Sequence, residues 1–336
     1  MAQEYARWDS PSLIWLGVLL GYDESSVSDI SSDGSVAVGT AQRPNGYWRA
    51  FRWTAEGGLQ DLGALGGIRS SAEGVSADGR VVVGWAELAS GYIRAFRWTP
   101  NGGMKALGIP LGYRQSKAMA VSANGRVVVG YVQNAWGSLR AFRWTPLSGT
   151  RRLRISRSCW SHAFGVSANG KVVVGAYLAG GQTRAVRWVS GVGMQELGTL
   201  GGNYSSASGV SADGSVVVGW VQNANGQVRA VRWVSGVGMQ ELGTLGGDYS
   251  SASGVSADGS VVVGRAQNAN GQVRAFRWTA EGGMEDLNNA YAHLLTDGAY
   301  LEAACAISPD GRYIAGQGYN AATGRREAFL LDTGRR

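Results

Sequence analysis

Short runs of alternating apolar and polar residues recur along the whole chain, and glycine-rich turns separate them. In one copy an Asp213-Gly214 step precedes the apolar run 216–218, and a Gly/Asn loop then leads to the alternating run 227–233. Asp-Gly or Asn-Gly between apolar runs is typical of a two-residue hairpin turn in which both central residues take positive φ. No 3.6-residue period competes with this pattern. The sequence therefore predicts an all-β protein.

The same pattern repeats seven times. The Asp/Asn-Gly step occurs at Asp33, Asp78, Asn124, Asn169, Asp213, Asp258 and Asp310. The spacing is 44 to 46 residues, except for the last, which is 52. A second motif, R-A-F/V-R-W, begins at Arg49, Arg94, Arg140, Arg184, Arg229 and Arg274. Residues 184–219 and 229–264 differ at one position in 36, so the array is a tandem duplication.

Each unit contains four short strands, which matches the length and strand count of a β-propeller blade. The sequence therefore predicts one domain over residues 1–336, a seven-bladed β-propeller of four-stranded blades. Its units are 25–63, 70–108, 116–155, 161–198, 205–243, 250–288 and 302–331, the last completed by 12–17. The last unit has only three strands and the chain begins one strand early, so we expect the N-terminal strand to close the ring as the outermost strand of blade seven. The first strand of each blade should line a narrow channel with small residues, which in one copy are Ser205, Ser206, Ala207, Ser208 and Gly209.

Three motifs together, R-A-F-R-W, G-V-S-A-D-G-x-V-V-V-G and L-G-T-L-G-G, resemble the HAF-repeat family. The match covers about residues 13–331, but the His of the family triplet is Arg here in six units and Glu327 in the last. The resemblance implies a bacterial protein with a propeller fold and an extracellular or cell-surface setting. It supplies no catalytic residues. No basic leader precedes the apolar run 13–20, so we identify no signal peptide, and a cytoplasmic location stays open.

The formal charge of +7 by itself favours an anionic partner, but the positions of the basic residues weaken that inference. Twelve of the 31 basic residues belong to the R-A-F/V-R-W motifs; without them 19 basic residues face 24 acidic ones, a formal charge of −5. We therefore expect these arginines to stack on tryptophan and to pair with neighbouring carbonyls or carboxylates. The sequence indicates no nucleic-acid partner and no membrane insertion, and we expect a monomer.

Catalytic, metal and cofactor sites have little support in the composition. The chain has two cysteines, Cys159 and Cys305, and two histidines, His162 and His293. Each Asp-Gly turn offers one carboxylate, whereas calcium needs six to eight oxygen ligands. We expect no cofactor and no enzyme activity. The acidic residues that depart from the repeat are Asp23, Glu24, Glu87, Asp297 and Glu302.

The remaining candidates for a ligand site are aromatic and basic residues on the face that carries the variable loops. They are Tyr113, Arg114, Trp136, Arg157, Trp160, His162, Tyr204 and Tyr249. The favoured function is a non-catalytic module that binds a glycan, peptide or protein there. A polysaccharide-acting enzyme would instead show non-repeat acidic residues clustered at the channel mouth, and a purely structural ring would show no site. Neutral sequence divergence of the repeat also explains why these loops vary. Tyr204 and Tyr249 could simply cover blade edges.

Overall fold

Seven four-stranded antiparallel sheets form the protein, and their first strands pack side by side around a central axis. The structure is a computed structural model that describes residues 10–155 and 160–334. The prediction of an all-β seven-bladed propeller is confirmed. Within the described residues the helices are one α-helical turn, α1 (Leu287–Ala290), and one 3₁₀ turn, Ala292–Leu294, and none is long and apolar enough to cross a membrane.

The strands of each blade are given from the channel outward. Blades 1 and 2 contain β2 (Glu24–Ile30), β3 (Val36–Gln42), β4 (Trp48–Thr54), β5 (Gly58–Asp61), β6 (Gly66–Val75), β7 (Val82–Leu88), β8 (Ile93–Thr99) and β9 (Gly103–Ala106). Blades 3 and 4 contain β10 (Tyr113–Val121), β11 (Val128–Asn134), β12 (Leu139–Thr145), β13 (Gly149–Arg152), β14 (Ser161–Val166), β15 (Val172–Ala179), β16 (Gln182–Val189) and β17 (Gly193–Glu196). Blades 5 and 6 contain β18 (Gly201–Val210), β19 (Val216–Asn223), β20 (Val228–Val234), β21 (Gly238–Glu241), β22 (Gly246–Val255), β23 (Val261–Asn268), β24 (Val273–Thr279) and β25 (Gly283–Asp286). Blade 7 contains β26 (Tyr300–Ile307), β27 (Tyr313–Asn320), β28 (Arg325–Asp332) and, outermost, β1 (Ser12–Gly17).

The N-terminal strand closes the ring, as the strand count predicts. β1 pairs with β28 in an antiparallel register that joins Leu13 to Leu331 and Trp15 to Phe329. The two aromatic rings meet edge to face at 6.3 Å. The last blade therefore takes strands from both ends of the described chain.

The hairpin between the first two strands of each blade differs from the predicted two-residue turn. In blade 1, Ser31 and Val36 close a four-residue loop, and only Gly34 takes a positive φ, of 69°. The Asp33 carboxylate accepts hydrogen bonds from the Ser31 hydroxyl at 2.7 Å and from the Ser35 amide at 3.0 Å. The wider loop forms because the serine and aspartate side chains replace the backbone pairing of a tighter turn.

The apolar core is divided among the junctions between blades. The junction of blades 1 and 2, for example, buries Val36, Val38 and Val82 of the second strands together with Phe96 and Trp98 of the R-A-F/V-R-W motif. The second arginine of the motif reaches across to the next hairpin. Arg52, for example, donates to the Gly79 carbonyl at 3.4 Å and lies over the Trp98 ring at 5.9 Å. These contacts agree with the expected structural role of the arginines.

The two faces of the ring carry different connections. One face, here called the turn face, carries the Asp/Asn-Gly hairpins and the loops between third and fourth strands. The other, here called the loop face, carries the loops between second and third strands and the connections from blade to blade. The described residues of the variable loops that the sequence singled out lie on the loop face.

Candidate functional site at the channel mouth

Three positions in each blade bring side chains to the channel. Two belong to the first strand, seven and five residues before the Asp/Asn of the hairpin, and one belongs to the second strand, seven residues after it. The first and third of these are direct cross-strand partners, as in the pairs Ser71–Trp85 and Lys117–Tyr131. We call them the channel positions.

The channel positions differ strongly between the two halves of the ring. Blades 2 to 4 carry large or charged side chains there: Glu73, Trp85, Lys117, Met119, Tyr131, His162 and Phe164. On the first strands of blades 5 and 6 the channel positions hold only serine. The expectation that the first strands line the channel with small residues is therefore wrong for blades 2 to 4.

A cavity of about 380 Å³ opens at the channel on the side of the loop face. Its walls include two carboxyl groups, Glu24 and Glu73, and two indoles, Trp48 and Trp85. The two tryptophans meet edge to face at 5.8 Å, so they form one continuous aromatic wall. This size lies in the range of small-molecule sites.

Glu73 is held in place by its own blade. Its Oε1 accepts hydrogen bonds from the Ser71 hydroxyl at 2.6 Å and from the Trp85 indole N–H at 3.0 Å. The Ser71 hydroxyl is in turn 2.6 Å from the hydroxyl of Thr40 in blade 1. Both donors engage the same oxygen, so Oε2 accepts no hydrogen bond from the described residues and remains available to a ligand.

Burial shifts the protonation of the groups around Glu73. Loss of solvent raises the pKa of the Glu73 carboxyl, and the two hydrogen bonds and Lys117 oppose that shift only in part. Loss of solvent also lowers the pKa of Lys117, whose Nζ lies 4.1 Å from the centre of the Trp85 ring. Burial and the negative charge of Glu73 raise the pKa of Tyr131 to about 12. The site therefore pairs an acid with a raised pKa and an amine with a lowered one, a combination typical of proton transfer.

The aromatic wall continues into blade 4. The Tyr131 ring meets the His162 ring edge to face at 4.7 Å, and His162 stacks on Phe164 at 5.5 Å. Trp160 approaches His162 at 6.2 Å. Burial lowers the pKa of His162, so the imidazole is neutral at neutral pH. The structure thus brings two of the sequence candidates, Trp160 and His162, to the edge of the channel site.

The other sequence candidates lie apart from this cluster. The Tyr113 hydroxyl is 3.3 Å from Arg152 Nη1, and Arg114 is exposed beside it. Trp136 is 87% exposed at a loop tip. Tyr204 is exposed in blade 5, and the Arg265 guanidinium lies 5.7 Å over the Tyr249 ring. Arg157 lies outside the described residues.

Sequence reasoning missed the central residues of the site. Trp48, Glu73, Trp85, Lys117 and Tyr131 were not among the candidates. A usable signal was present for Glu73 and Lys117, because they occupy first-strand channel positions at which the duplicated blades 5 and 6 carry serine. No group of three or more His, Cys, Asp or Glu side chains that could hold a metal ion occurs in the described part of the chain.

Comparison with known proteins identifies the fold class. No protein-family model matches the chain, and no curated protein matches it. Among solved structures, the chain is similar to an oligogalacturonate lyase from Vibrio parahaemolyticus (10% identity, 95% of this chain and 93% of that one, TM-score 0.61). It is also similar to the β-propeller domain of the Trilobed protease from Pyrococcus furiosus (9%, 93% and 96%, 0.60). A third similar structure is TolB from Acinetobacter baumannii (13%, 76% and 63%, 0.55), of whose length the chain spans less than two thirds.

These comparisons correct one expectation. The favoured function from sequence, a non-catalytic binding module, is contradicted because the solved structures to which this chain is similar include an enzyme, the oligogalacturonate lyase, over nearly its whole length. At identities of 9 to 13% the likeness shows the propeller fold alone. The function has to be argued from the site.

Proposed function

We propose that the protein is an enzyme that cleaves a saccharide at the channel mouth, with Glu73 as the general acid. The observation that carries the proposal is the pair of carboxyl groups, Glu24 and Glu73, in one cavity walled by tryptophan. Neither carboxyl occurs at the equivalent position of any other blade. An enzyme, unlike a structural ring, is expected to have acidic residues outside the repeat pattern clustered at the channel mouth, and these two carboxyl groups meet that criterion.

The roles follow from the environment of each group. Trp48 and Trp85 offer apolar faces on which sugar rings stack. Glu73, with its raised pKa and free Oε2, donates a proton to the glycosidic oxygen as the bond breaks. Lys117 then stabilises the Glu73 carboxylate that remains. Glu24, on the wall formed by blade 1, serves as the second carboxylate that glycoside hydrolysis requires, activating water or stabilising the positive charge on the sugar.

Glu73→Gln tests the proposal because the amide oxygen keeps the bonds from Ser71 and Trp85 while the acidic proton is lost. The wild type should release reducing ends from at least one of xylan, β-glucan, mannan and polygalacturonate. Glu73→Gln should lower kcat by about 10² to 10⁴, the usual contribution of general acid catalysis, with KM nearly unchanged.

The matched control is Glu56→Gln, which changes an exposed glutamate on the turn face and should leave kcat unchanged. Equal rates for the wild type and Glu73→Gln, or no release from any of the four polymers, would show the proposal to be wrong. Membership of the HAF-repeat family, an extracellular or cell-surface setting and a monomeric state stay predictions from the sequence motifs.

A further inference from the structure

A second cavity lies on the loop face, at the junction of blades 6 and 7. The spacing between hairpins is longest here, and the extra residues form α1 and the 3₁₀ turn. Together with the loops of blade 6 they enclose about 790 Å³. The cavity shares no lining residue with the channel site.

The extra residues change the contacts of Arg274, the first arginine of the R-A-F/V-R-W motif in blade 6. In blade 5 the equivalent Arg229 donates to the carbonyl of Asp248 and forms a 3.2 Å ion pair with Glu241. In blade 4, Arg184 likewise donates to the carbonyl of Asn203. These arginines are committed to holding one blade against the next.

Arg274 makes neither contact within the described residues. Its Nη1 donates to the carbonyl of its neighbour Val273 at 2.9 Å, and its guanidinium lies 4.8 Å over the Tyr300 ring. The acid at the position of Glu241 is Asp286, whose Oδ1 accepts from the backbone and side chain of Asn288 instead. Arg274 and Asp286 therefore both line the cavity without pairing with each other.

The side-chain amide of Gln272 also lacks the contact that its equivalent makes with the next blade. In blade 5, Gln227 Nε2 donates to the Asp248 carboxylate at 2.7 Å. The Gln272 side chain keeps only its contact with Asn268 in its own loop, at 3.1 Å, so its Nε2 has no acceptor among the described residues. One cavity thus contains an arginine and an amide whose equivalents join blade 5 to blade 6, and an acid whose equivalent pairs with that arginine within blade 5.

We propose that this cavity is a binding site for a neutral saccharide unit. Arg274 and Gln272 Nε2 supply donors, and Asp286 and Asp297 supply acceptors, an alternation that suits the hydroxyl groups of a sugar ring, each of which both donates and accepts. An anionic ligand fits less well because two carboxylates oppose one guanidinium. The site is independent of the channel and would hold a second part of a long chain or a separate oligosaccharide.

Methionine methyl groups report on the two sites separately. Met284 lines the second cavity, Met119 lines the channel cavity, and Met239 occupies the position of Met284 in blade 5. Protein labelled with ¹³C-methyl methionine would be titrated with xylohexaose, cellohexaose, laminarihexaose and mannohexaose, and with glycylglycine as a zwitterionic probe. At least one hexasaccharide should shift the Met284 resonance, while Met239 stays unchanged.

Arg274→Ala should weaken this binding at least tenfold, and the matched Arg229→Ala should not change it, provided that both variants retain the methyl spectrum of a folded protein. Gln272→Ala and Gln227→Ala form a second matched pair with the same expectation. The proposal is overturned if no hexasaccharide shifts Met284, if glycylglycine alone does, or if Arg274→Ala binds as the wild type does. A Met119 shift tests the channel proposal, so either site can fail without the other.

Discussion

Asp29 occupies a position at which every other blade carries glycine or alanine. The equivalent residues are Gly74, Ala120, Gly165, Gly209, Gly254 and Ala306. Both carboxylate oxygens of Asp29 accept backbone hydrogen bonds, from Ile30 in its own strand and from Val75 in blade 2, each at 2.9 Å. Burial nevertheless raises the pKa of Asp29 to about 7, because these two bonds offset only part of the lost hydration.

The raised pKa of Asp29 predicts that the protein loses stability between pH 4 and pH 7. The folded state holds the proton more tightly than the unfolded state, where the pKa is 3.8. The contribution of Asp29 is therefore complete below that value and is lost as the pH rises to 7, by roughly 4 kcal/mol at most. In Asp29→Asn this loss should be absent, so the melting temperature should fall less from pH 5 to pH 8 than in the wild type.

The comparison is made within each variant, so any constant cost of the asparagine cancels. Asp258→Asn is the control without an effect in this range: hydrogen bonds from Ser256 and Ser260 lower the pKa of Asp258 below 3.8, so its contribution to stability changes only at more acidic pH and the profile from pH 5 to pH 8 should match that of the wild type. Parallel pH profiles for the wild type and Asp29→Asn would show that Asp29 does not couple stability to pH.

At the scale of the strand, a buried serine joins the inner strand of each of blades 1 to 6 to the preceding blade. The Ser250 hydroxyl accepts from the Ala230 amide at 2.9 Å and donates to the Gly243 carbonyl at 2.7 Å. The same bond to the amide recurs with Ser25, Ser70, Ser116, Ser161 and Ser205. Blade 7 lacks it, and there the Asn288 side chain bonds both the N–H and the carbonyl of Leu301 instead.

Ser250→Ala should lower the free energy of unfolding by about 1 to 3 kcal/mol, because it leaves a buried amide and a carbonyl without their partner. Ser253→Ala is the matched control in the same strand, at a channel position where the hydroxyl makes no hydrogen bond within the described residues. Urea unfolding of the two variants gives the comparison. Equal losses of stability would mean that the serine contributes through packing rather than through its hydrogen bonds.

The strands, the blade count and the closing strand could all be predicted from the sequence, because the same strand pattern occurs in seven copies. The predicted hairpin type was wrong because hydrogen bonds of side chains, here Ser31 and Asp33, determine the length of the loop. Glu73 and Lys117 were missed because a site in a propeller is assembled from positions about 45 residues apart, and no short motif contains them. Aligning the blades on their hairpins and reading across the channel positions recovers these residues.

At the scale of the whole ring, backbone hydrogen bonds join the hairpins of successive blades. The chain of bonds runs from the Ser32 amide to the Ala77 carbonyl and continues to the Ala257 amide and the Pro309 carbonyl. Proline has no N–H, so Pro309 makes no seventh bond back to blade 1. The junction of blades 7 and 1 depends instead on the bond from the Ala328 amide to the Ser25 hydroxyl, on side-chain packing and on β1, which brings Leu16 into the same core as Phe51 and Leu330.

Deletion of residues 1–17 should therefore destabilise the ring at this junction. It removes the outer strand of blade 7, exposes the edge of β28 and uncovers Phe329, on which Trp15 packs. We expect aggregation or a fall in melting temperature of at least several degrees, since about 1 kcal/mol shifts the midpoint by a few degrees in a domain of this size. A synthetic peptide of residues 10–17, added during refolding, should restore part of the loss by pairing with β28. An unchanged melting temperature in the truncated protein would mean that the three remaining strands of blade 7 hold the ring closed without β1.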